Sequence, residues 1–391
     1  MDPLPPVWVE IDTGKLKENL SKVRRAIPTD FFAVVKNNAY GHGLVQTSRL
    51  FLRLGARGLA VNSLEEARTL RRRGIRGPIL IFHPGFPFQG EQVALYDLTQ
   101  TLCTLPMAEA LVRAGEKYKR KIRVHLKIDI GMGRSGIKPE EALAFLRQVS
   151  ALDRKRRLLW EGIYTHFPTS HNIPQTKRQL DRFLKTVEEL DKHGFTFTWV
   201  HAANSAAAVL VPESRLDLCR LGNALYGQCA PLPTETAWCL KTYLVLVKEL
   251  AKGETLGYGS TYRAPAPLQI GTIPLGYGDG LLLDPPGDIQ SSLGALGRKL
   301  LHKERQLVRI QGQPTHFLGR TSMGMATIRI PPGVSAQIQE PVAIYQRFTS
   351  IPPHIPRLFI EGGKVLCAEI AYRIYGVIHK NGHFYTTEPL A

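Results

Sequence analysis

The sequence predicts an α/β chain: a TIM-like (β/α)8 barrel followed by a mostly β C-terminal domain. Three observations carry this. The chain has 391 residues, too many for one small core. Short apolar runs alternate with helical patterns through its first half, and there are eight of them after the opening strand. Beyond Tyr226-Gly227 the long helical patterns stop and turn-separated strand patterns replace them. A doubly wound sheet is the alternative for the first part, but it usually needs fewer strands.

In order, Trp8–Asp12 alternates as a strand does, and a basic amphipathic helix follows over Lys15–Ala26. The apolar runs are Phe31–Lys36, Gly58–Asn62, Pro78–Phe82, Leu98–Cys103, Ile122–Ile128, Leu159–His166, Phe197–His201 and Leu216–Arg220. Between them, Ser63-Leu64-Glu65-Glu66 reads as a capping box, Pro139 opens a helical turn, and Gln179–Lys192 has apolar residues at helical spacing. Pro231-Leu232-Pro233 reads as a linker, which divides the chain into 1–236 and 237–391, with the first ten or so residues free to pack with the second part. There Tyr243–Leu250, Gln306–Gln311, Ala326–Ile330 and Val342–Tyr345 read as strands. Val377–His379 and His383–Tyr385 flank an Asn381-Gly382 hairpin turn.

Composition excludes several classes. No apolar run approaches the ~20 residues of a membrane span, and the N-terminus has no signal pattern, so a cytoplasmic protein is expected. Cys103, Cys219, Cys229, Cys239 and Cys367 form no C-x-x-C pair and read as free thiols, and no metal-ligand spacing appears. The formal charge of +18 raises a nucleic-acid partner as an option. The basic clusters at Arg71–Arg73, Lys117–Arg123 and Arg154–Arg157 are scattered, as solvated outer faces are, and no nucleic-acid partner is expected.

Barrel enzymes place their chemistry at the C-terminal ends of the strands. That rim reads Lys36, then Lys127 and Asp129, then His166, then His201 with Asn204-Ser205, then Arg220 with Gly222-Asn223. One such residue is ordinary packing; so many at one rim are not. Five apolar residues run straight into Lys36, where desolvation favours a neutral amine able to condense with a carbonyl. Ser205 and Gly222 follow the last two strands, where barrels commonly hold phosphate, and Ser205 also suits a helix N-cap. Gly131-Met132-Gly133-Arg134-Ser135-Gly136 spells G-x-G-x-x-G, but at the fifth strand and with no acidic strand end following, which weakens a dinucleotide site.

Phe31–Gly43 resembles the lysine segment of the alanine racemases, enzymes dependent on pyridoxal 5'-phosphate (PLP). Lys36 takes the cofactor lysine's place and Tyr40 the phosphate-contacting position, while Asn37 departs from the usual small residue. Lys127–Arg134 resembles the segment supplying a substrate-carboxylate arginine, here Arg134, with Lys127 where that family can carry a carbamylated lysine. Arg220–Gly227 resembles the segment whose arginine faces the pyridine nitrogen. An arginine there stays cationic and does not give the ring a proton, unlike a carboxylate partner. Leu256–Tyr262 resembles the segment of the catalytic tyrosine, at Tyr258, and Ile273–Gly280 that of an entrance tyrosine, at Tyr277. Gly319–Met323 resembles the loop whose backbone at Met323 receives the substrate carboxylate, although Gly324 replaces an acidic residue, and Ile370-Ala371-Tyr372 matches a phosphate-contacting tyrosine.

The resemblance spans Trp8 to Tyr372. It implies interconversion of L- and D-alanine, supplying D-alanine for peptidoglycan, with Lys36 and Tyr258 as bases on opposite faces of Cα. It also implies cofactor contacts from Tyr40, His166, Asn204, Ser205, Arg220, Gly222, Asn223 and Tyr372, and a head-to-tail homodimer with shared sites. The alternatives are a racemase of serine, lysine or several amino acids, a barrel-type PLP decarboxylase, whose pyridine partner is typically acidic, and a non-catalytic PLP carrier, usually a lone barrel.

Overall fold

The structure, a computed structural model, describes residues 2–229, 231–281, 308–345, 351–380 and 383–390. The chain divides into two units: Thr13–Ala237, and Met1–Asp12 with Trp238–Ala391.

The first unit begins with helix α1 (Thr13–Ala26), which follows strand β1 (Val7–Asp12) of the other unit. Eight parallel strands then alternate with helices: β2 (Phe31–Val34), β3 (Gly58–Val61), β4 (Ile79–Ile81), β5 (Thr99–Leu102), β6 (Ile122–Lys127), β7 (Leu158–Tyr164), β8 (Trp199–His201) and β9 (Cys219–Leu221). They run in sequence order, with β9 hydrogen-bonded back to β2. Between β8 and β9, Asp217 N–H donates to Val200 O at 3.2 Å and Arg220 N–H to Ala203 O at 3.0 Å, which nearly closes the barrel. The predicted barrel is present. β2, β3 and β4 are buried along their whole length, as strands covered on both faces must be, and this is why they read as unbroken apolar runs.

The outer helices are α2 (Leu44–Arg53), α3 (Leu64–Arg72), α4 (Gly90–Leu95), α5 (Leu105–Lys117), α6 (Ala142–Leu152), α7 (Ile173–Lys192) and α8 (Ser205–Leu210). Only half of the expected capping box forms at α3. The Ser63 hydroxyl accepts from Glu66 N–H at 3.3 Å, but the Glu66 carboxylate turns outward, accepting from Asn62 N–H at 3.0 Å and Asn38 N–H at 3.1 Å. The basic clusters tie neighbouring elements together. Arg71 donates to Tyr96 O, Ile75 O and Asp97 O, Arg123 pairs with Asp97, and Lys117 with Glu91. Among the described residues no helix is long and apolar enough to cross a membrane.

The second unit is β throughout its described residues, apart from single helical turns. Its strands include β10 (Trp238–Tyr243), β11 (Leu246–Leu250), β12 (Leu268–Ile273), β13 (Val308–Ile310), β14 (Gln313–Thr315), β15 (Ala326–Arg329), β16 (Pro341–Ile344), β17 (Arg357–Glu361), β18 (Lys364–Ile370), β19 (Arg373–Lys380) and β20 (His383–Leu390). One sheet runs β20-β19-β18-β17-β1-β10-β16-β13-β14, with Asp2–Pro3 beside β20, so β1, which precedes the barrel, lies at its centre. Another contains β11, β12 and β15. The expected Tyr243–Leu250 strand is thus two strands in different sheets, broken at Leu244-Val245, where Leu244 N–H still bonds Glu340 O beside β16 and Val245 N–H bonds Thr272 O of β12. Of the expected Gln306–Gln311 strand, Val308–Ile310 is observed, and Gln306 and Leu307 lie outside the described residues. The Asn381-Gly382 turn also lies outside them, while the strands flanking it pair antiparallel, Lys380 opposite His383.

Candidate active site

β2 ends at Val34, two residues earlier than the apolar run suggests, and Lys36 opens a short turn instead. Asn37, Asn38, Ala39 and Tyr40 all have φ between 52° and 54°, a left-handed turn that two asparagines make tolerable. The turn is held from outside: Asn38 Oδ1 accepts from Leu44 N–H at 2.8 Å, and Asn38 N–H donates to Glu66. Burial, then the Arg134 charge, lowers the Lys36 amine from its ordinary pKa, against a smaller opposing effect of Glu66.

At the end of the turn, Tyr40 lies against Gly222: a methyl at that glycine would overlap the phenol hydroxyl. The Ser205 hydroxyl accepts from Gly222 N–H at 3.0 Å and Ala224 N–H at 3.3 Å, so the loops after β8 and β9 are joined there. The helix cap expected of Ser205 is made by its neighbour. Asn204 Oδ1 accepts from Ala207 N–H at 3.0 Å and from the Ser170 hydroxyl at 3.0 Å. Asn223 is exposed, and its carbonyl accepts the turn hydrogen bond from Gln228 N–H at 2.8 Å.

Arg220 is 3% exposed. Among the described residues no carboxylate pairs with it; Asp217 instead accepts from Val200 N–H at 2.8 Å. Its guanidinium donates to Thr165 O at 2.6 Å, Ala202 O at 2.8 Å and His201 Nδ1 at 2.8 Å, and lies 3.5 Å from His166 Nδ1. Burial lowers its pKa only to about 10, so it remains cationic at neutral pH. His166 lies two residues beyond β7, and burial, then Arg220, holds its pKa down at about 3. Lys127 ends β6, 4% exposed, donates to the Ser135 hydroxyl at 2.6 Å and lies 5.7 Å from the Tyr164 ring centroid. Burial, then Arg134 and Arg220, lowers its pKa to about 8. Arg134 is carried on a loop folded over one carboxylate, since Asp129 accepts from Gly131, Met132 and Gly133 N–H groups. The glycines do not open a helix: the turn at Pro139–Glu141, which leads into α6, begins three residues after Gly136, so the G-x-G-x-x-G letters do not form a dinucleotide site.

Lys36, Lys127, Arg134 and Arg220 therefore share one cationic mouth, and after burial the charges of all four help to hold His166 neutral. In the second unit, Tyr258, Tyr277 and Met323 lie on adjoining loops. Tyr277 N–H donates to Ser322 O at 3.1 Å and Gly278 N–H to Met323 O at 2.9 Å. Gly257, at φ 78°, admits the Arg320 backbone, whose nitrogen would lie 3.0 Å from any Cβ there. Tyr258 and Met323 are largely exposed. Tyr372 lies elsewhere in that unit, at the left-handed turn between β18 and β19.

Comparison with known proteins identifies the lineage. Residues 11–230 match the alanine racemase N-terminal domain and residues 237–353 the alanine racemase C-terminal domain. The chain belongs to the alanine racemase family. It is 34% identical to the alanine racemase of Desulforamulus reducens over 87% of this chain and 90% of that one. It is 37% identical to that of Geobacillus stearothermophilus, over 83% and 80%. The crystal structure of the Bacillus anthracis alanine racemase with bound L-Ala-P superimposes with a TM-score of 0.82 at 28% identity, covering 95% of this chain and 99% of that one.

Sequence reasoning placed His201 at the rim without a role and missed His125 and Glu161 behind it. His201 and His125 are fully buried, and His125 reaches Glu161. Their signal was available: His125 inside β6, His201 ending β8 and Glu161 inside β7 are polar residues within buried barrel strands.

Proposed function

We propose that this alanine racemase family member interconverts L- and D-alanine with PLP as cofactor. The observation that carries the reading is the buried cationic mouth, Lys36, Lys127 and Arg220, with no carboxylate paired to Arg220 among the described residues. Such a donor set suits an anionic cofactor and a carboxylate substrate. The residues present fit PLP. Lys36 would carry it, Tyr40, Ser205, Gly222, Asn204, Asn223 and Tyr372 would surround its phosphate, neutral His166 would lie beside its ring, and Arg220 would face the pyridine nitrogen. Bound there, PLP supplies an electron sink that acidifies the substrate Cα proton.

The protein's own groups do the rest. Racemisation needs one base on each face of Cα, and each conjugate acid must return a proton. Lys36 Nζ serves one face, supported by its lowered pKa. Tyr258 Oη serves the other. Arg134 and the Met323 backbone bind the substrate carboxylate, and Tyr277 narrows the entrance. Lys127, with an amine pKa near 8, is neutral often enough to take up carbon dioxide as a carbamate, which would hold Arg134. Tyr258, Tyr277 and Met323 are exposed, consistent with a homodimer in which each subunit lends its tyrosine to the other's barrel.

The test is deuterium uptake from solvent at alanine Cα by the PLP-loaded protein, starting from each enantiomer and from serine and lysine. Uptake from both alanine enantiomers with faster turnover than the other amino acids is expected. No uptake from alanine overturns the reading, and equal turnover of serine or lysine makes it a broad racemase.

A further inference from the structure

The polar groups behind Arg220 form a chain with a forced direction. An arginine has donors only, so its contact with His201 Nδ1 makes that nitrogen an unprotonated acceptor. His201 must then carry its proton on Nε2 and donate it to His125 Nδ1, 2.8 Å away. His125 in turn carries its proton on Nε2, 3.3 Å from Glu161 Oε2. Each link is fixed by the previous one, and the chain ends at a carboxylate with exposed side-chain surface.

The backbone is built around that end. In the pairing of β6 with β7, Val124 lies opposite Trp160 but His125 lies opposite Gly162, so Glu161 is the extra residue of a bulge. Bulges are rare between parallel strands and are used near active sites to re-aim a side chain. The next residue must be small. A methyl on Gly162 would lie 2.7 Å from the His125 ring. Thr99 and Arg123 complete the surroundings of the carboxylate, the hydroxyl at 3.4 Å and the guanidinium Nε at 3.9 Å.

We propose that Glu161 is a positioning residue for the reaction: through His125 and His201 it fixes both imidazole tautomers and the direction in which Arg220 points its remaining N–H groups into the site. This rests on the placing of Arg220 at the cofactor ring. A carboxylate makes His125 Nε2–H a stronger donor, which makes His125 Nδ1 more basic. The gain passes to His201 and then to the Arg220 hydrogen bond. Burial holds both rings neutral against protonation, so the chain stays directional at neutral pH.

Nitrogen-15 NMR of histidine-labelled protein without cofactor reads the chain independently of catalysis. Both His125 and His201 are expected neutral with the proton on Nε2; a proton on Nδ1 of either, or an imidazolium, overturns the proposal. Glu161→Gln keeps shape and loses charge. It is expected to move the His125 Nε2–H proton resonance upfield and to lower kcat roughly tenfold with KM for alanine nearly unchanged. Thr99→Val, which touches the same carboxylate outside the chain, is expected to leave the tautomers and kcat as they are. An unchanged proton resonance and a kcat within twofold in Glu161→Gln overturn the proposal while the wild-type racemase reading stands. Wild-type protein without racemisation defeats that reading instead, and the NMR result still decides the chain.

Discussion

At Lys127 an amine ends inside the barrel mouth against the Ser135 hydroxyl and the Tyr164 ring. Its pKa falls to about 8 in the fold and returns to about 10.4 in the unfolded chain. Between these values the unfolded state binds the extra proton, so stability rises with pH there, and below about 8 the full cost is present. In carbon-dioxide-free buffer, Lys127→Met is therefore expected to be more stable by about 1–3 kcal/mol at pH 7, an advantage that shrinks toward pH 10. Denaturant titrations at the two pH values check it; a pH-independent difference refutes the burial argument. Labelled bicarbonate should also give a carbamate carbon resonance that Lys127→Ala abolishes. The two catalytic groups separate in the same way. Lys36→Ala should lower racemisation at least roughly 1,000-fold, and borohydride trapping of the wild type should map PLP to Lys36 and no other lysine. Tyr258→Phe should slow both directions about 100- to 10,000-fold, because each direction uses both groups. Cα exchange should survive better from D-alanine than from L-alanine.

Among the elements, the turn at Asn37–Tyr40 shows where sequence reading succeeds and stops. The apolar run and the breakers after it located the end of β2, because burial on both faces leaves an unmistakable composition. The left-handed conformation of four successive residues left no such trace, since Ala39 and Tyr40 have no preference for it. Long-range hydrogen bonds from Asn38 stabilise the turn. Asn38→Ala is expected to cost about 1–2 kcal/mol and to weaken PLP retention, measured by denaturation and by cofactor loss on dialysis. Unchanged retention would mean the turn does not place Lys36. The β unit was less legible for a related reason. Several of its strands are half exposed, and β10 and β11 share one stretch although their partners belong to different sheets. The Glu161 bulge was invisible as well, because a one-residue slip is a property of the pair of strands and not of either sequence.

For the whole molecule, the proposed second base, Tyr258, belongs to the β unit, where it is largely exposed. Mixed dimers of Lys36→Ala and Tyr258→Phe subunits test the shared site. Both lesions fall in one of the two sites of each heterodimer and leave the other intact, so activity should return toward half that of the wild type per heterodimer. Proven heterodimers without activity would place both groups in one chain.

The position of β1 at the centre of the second sheet, between β17 and β10, has a consequence for biogenesis. β1 precedes the barrel in the chain and both its neighbours follow the barrel, so it has no partner until the chain beyond the barrel has been made. The β unit is therefore completed only by segments from both sides of the barrel, and Asp2-Pro3 pairs in the same way with β20. Loss of the segment before the barrel or of β20 therefore strikes the same sheet, and the growing chain carries an unpaired Val7–Asp12 edge until β10 and β17 are made.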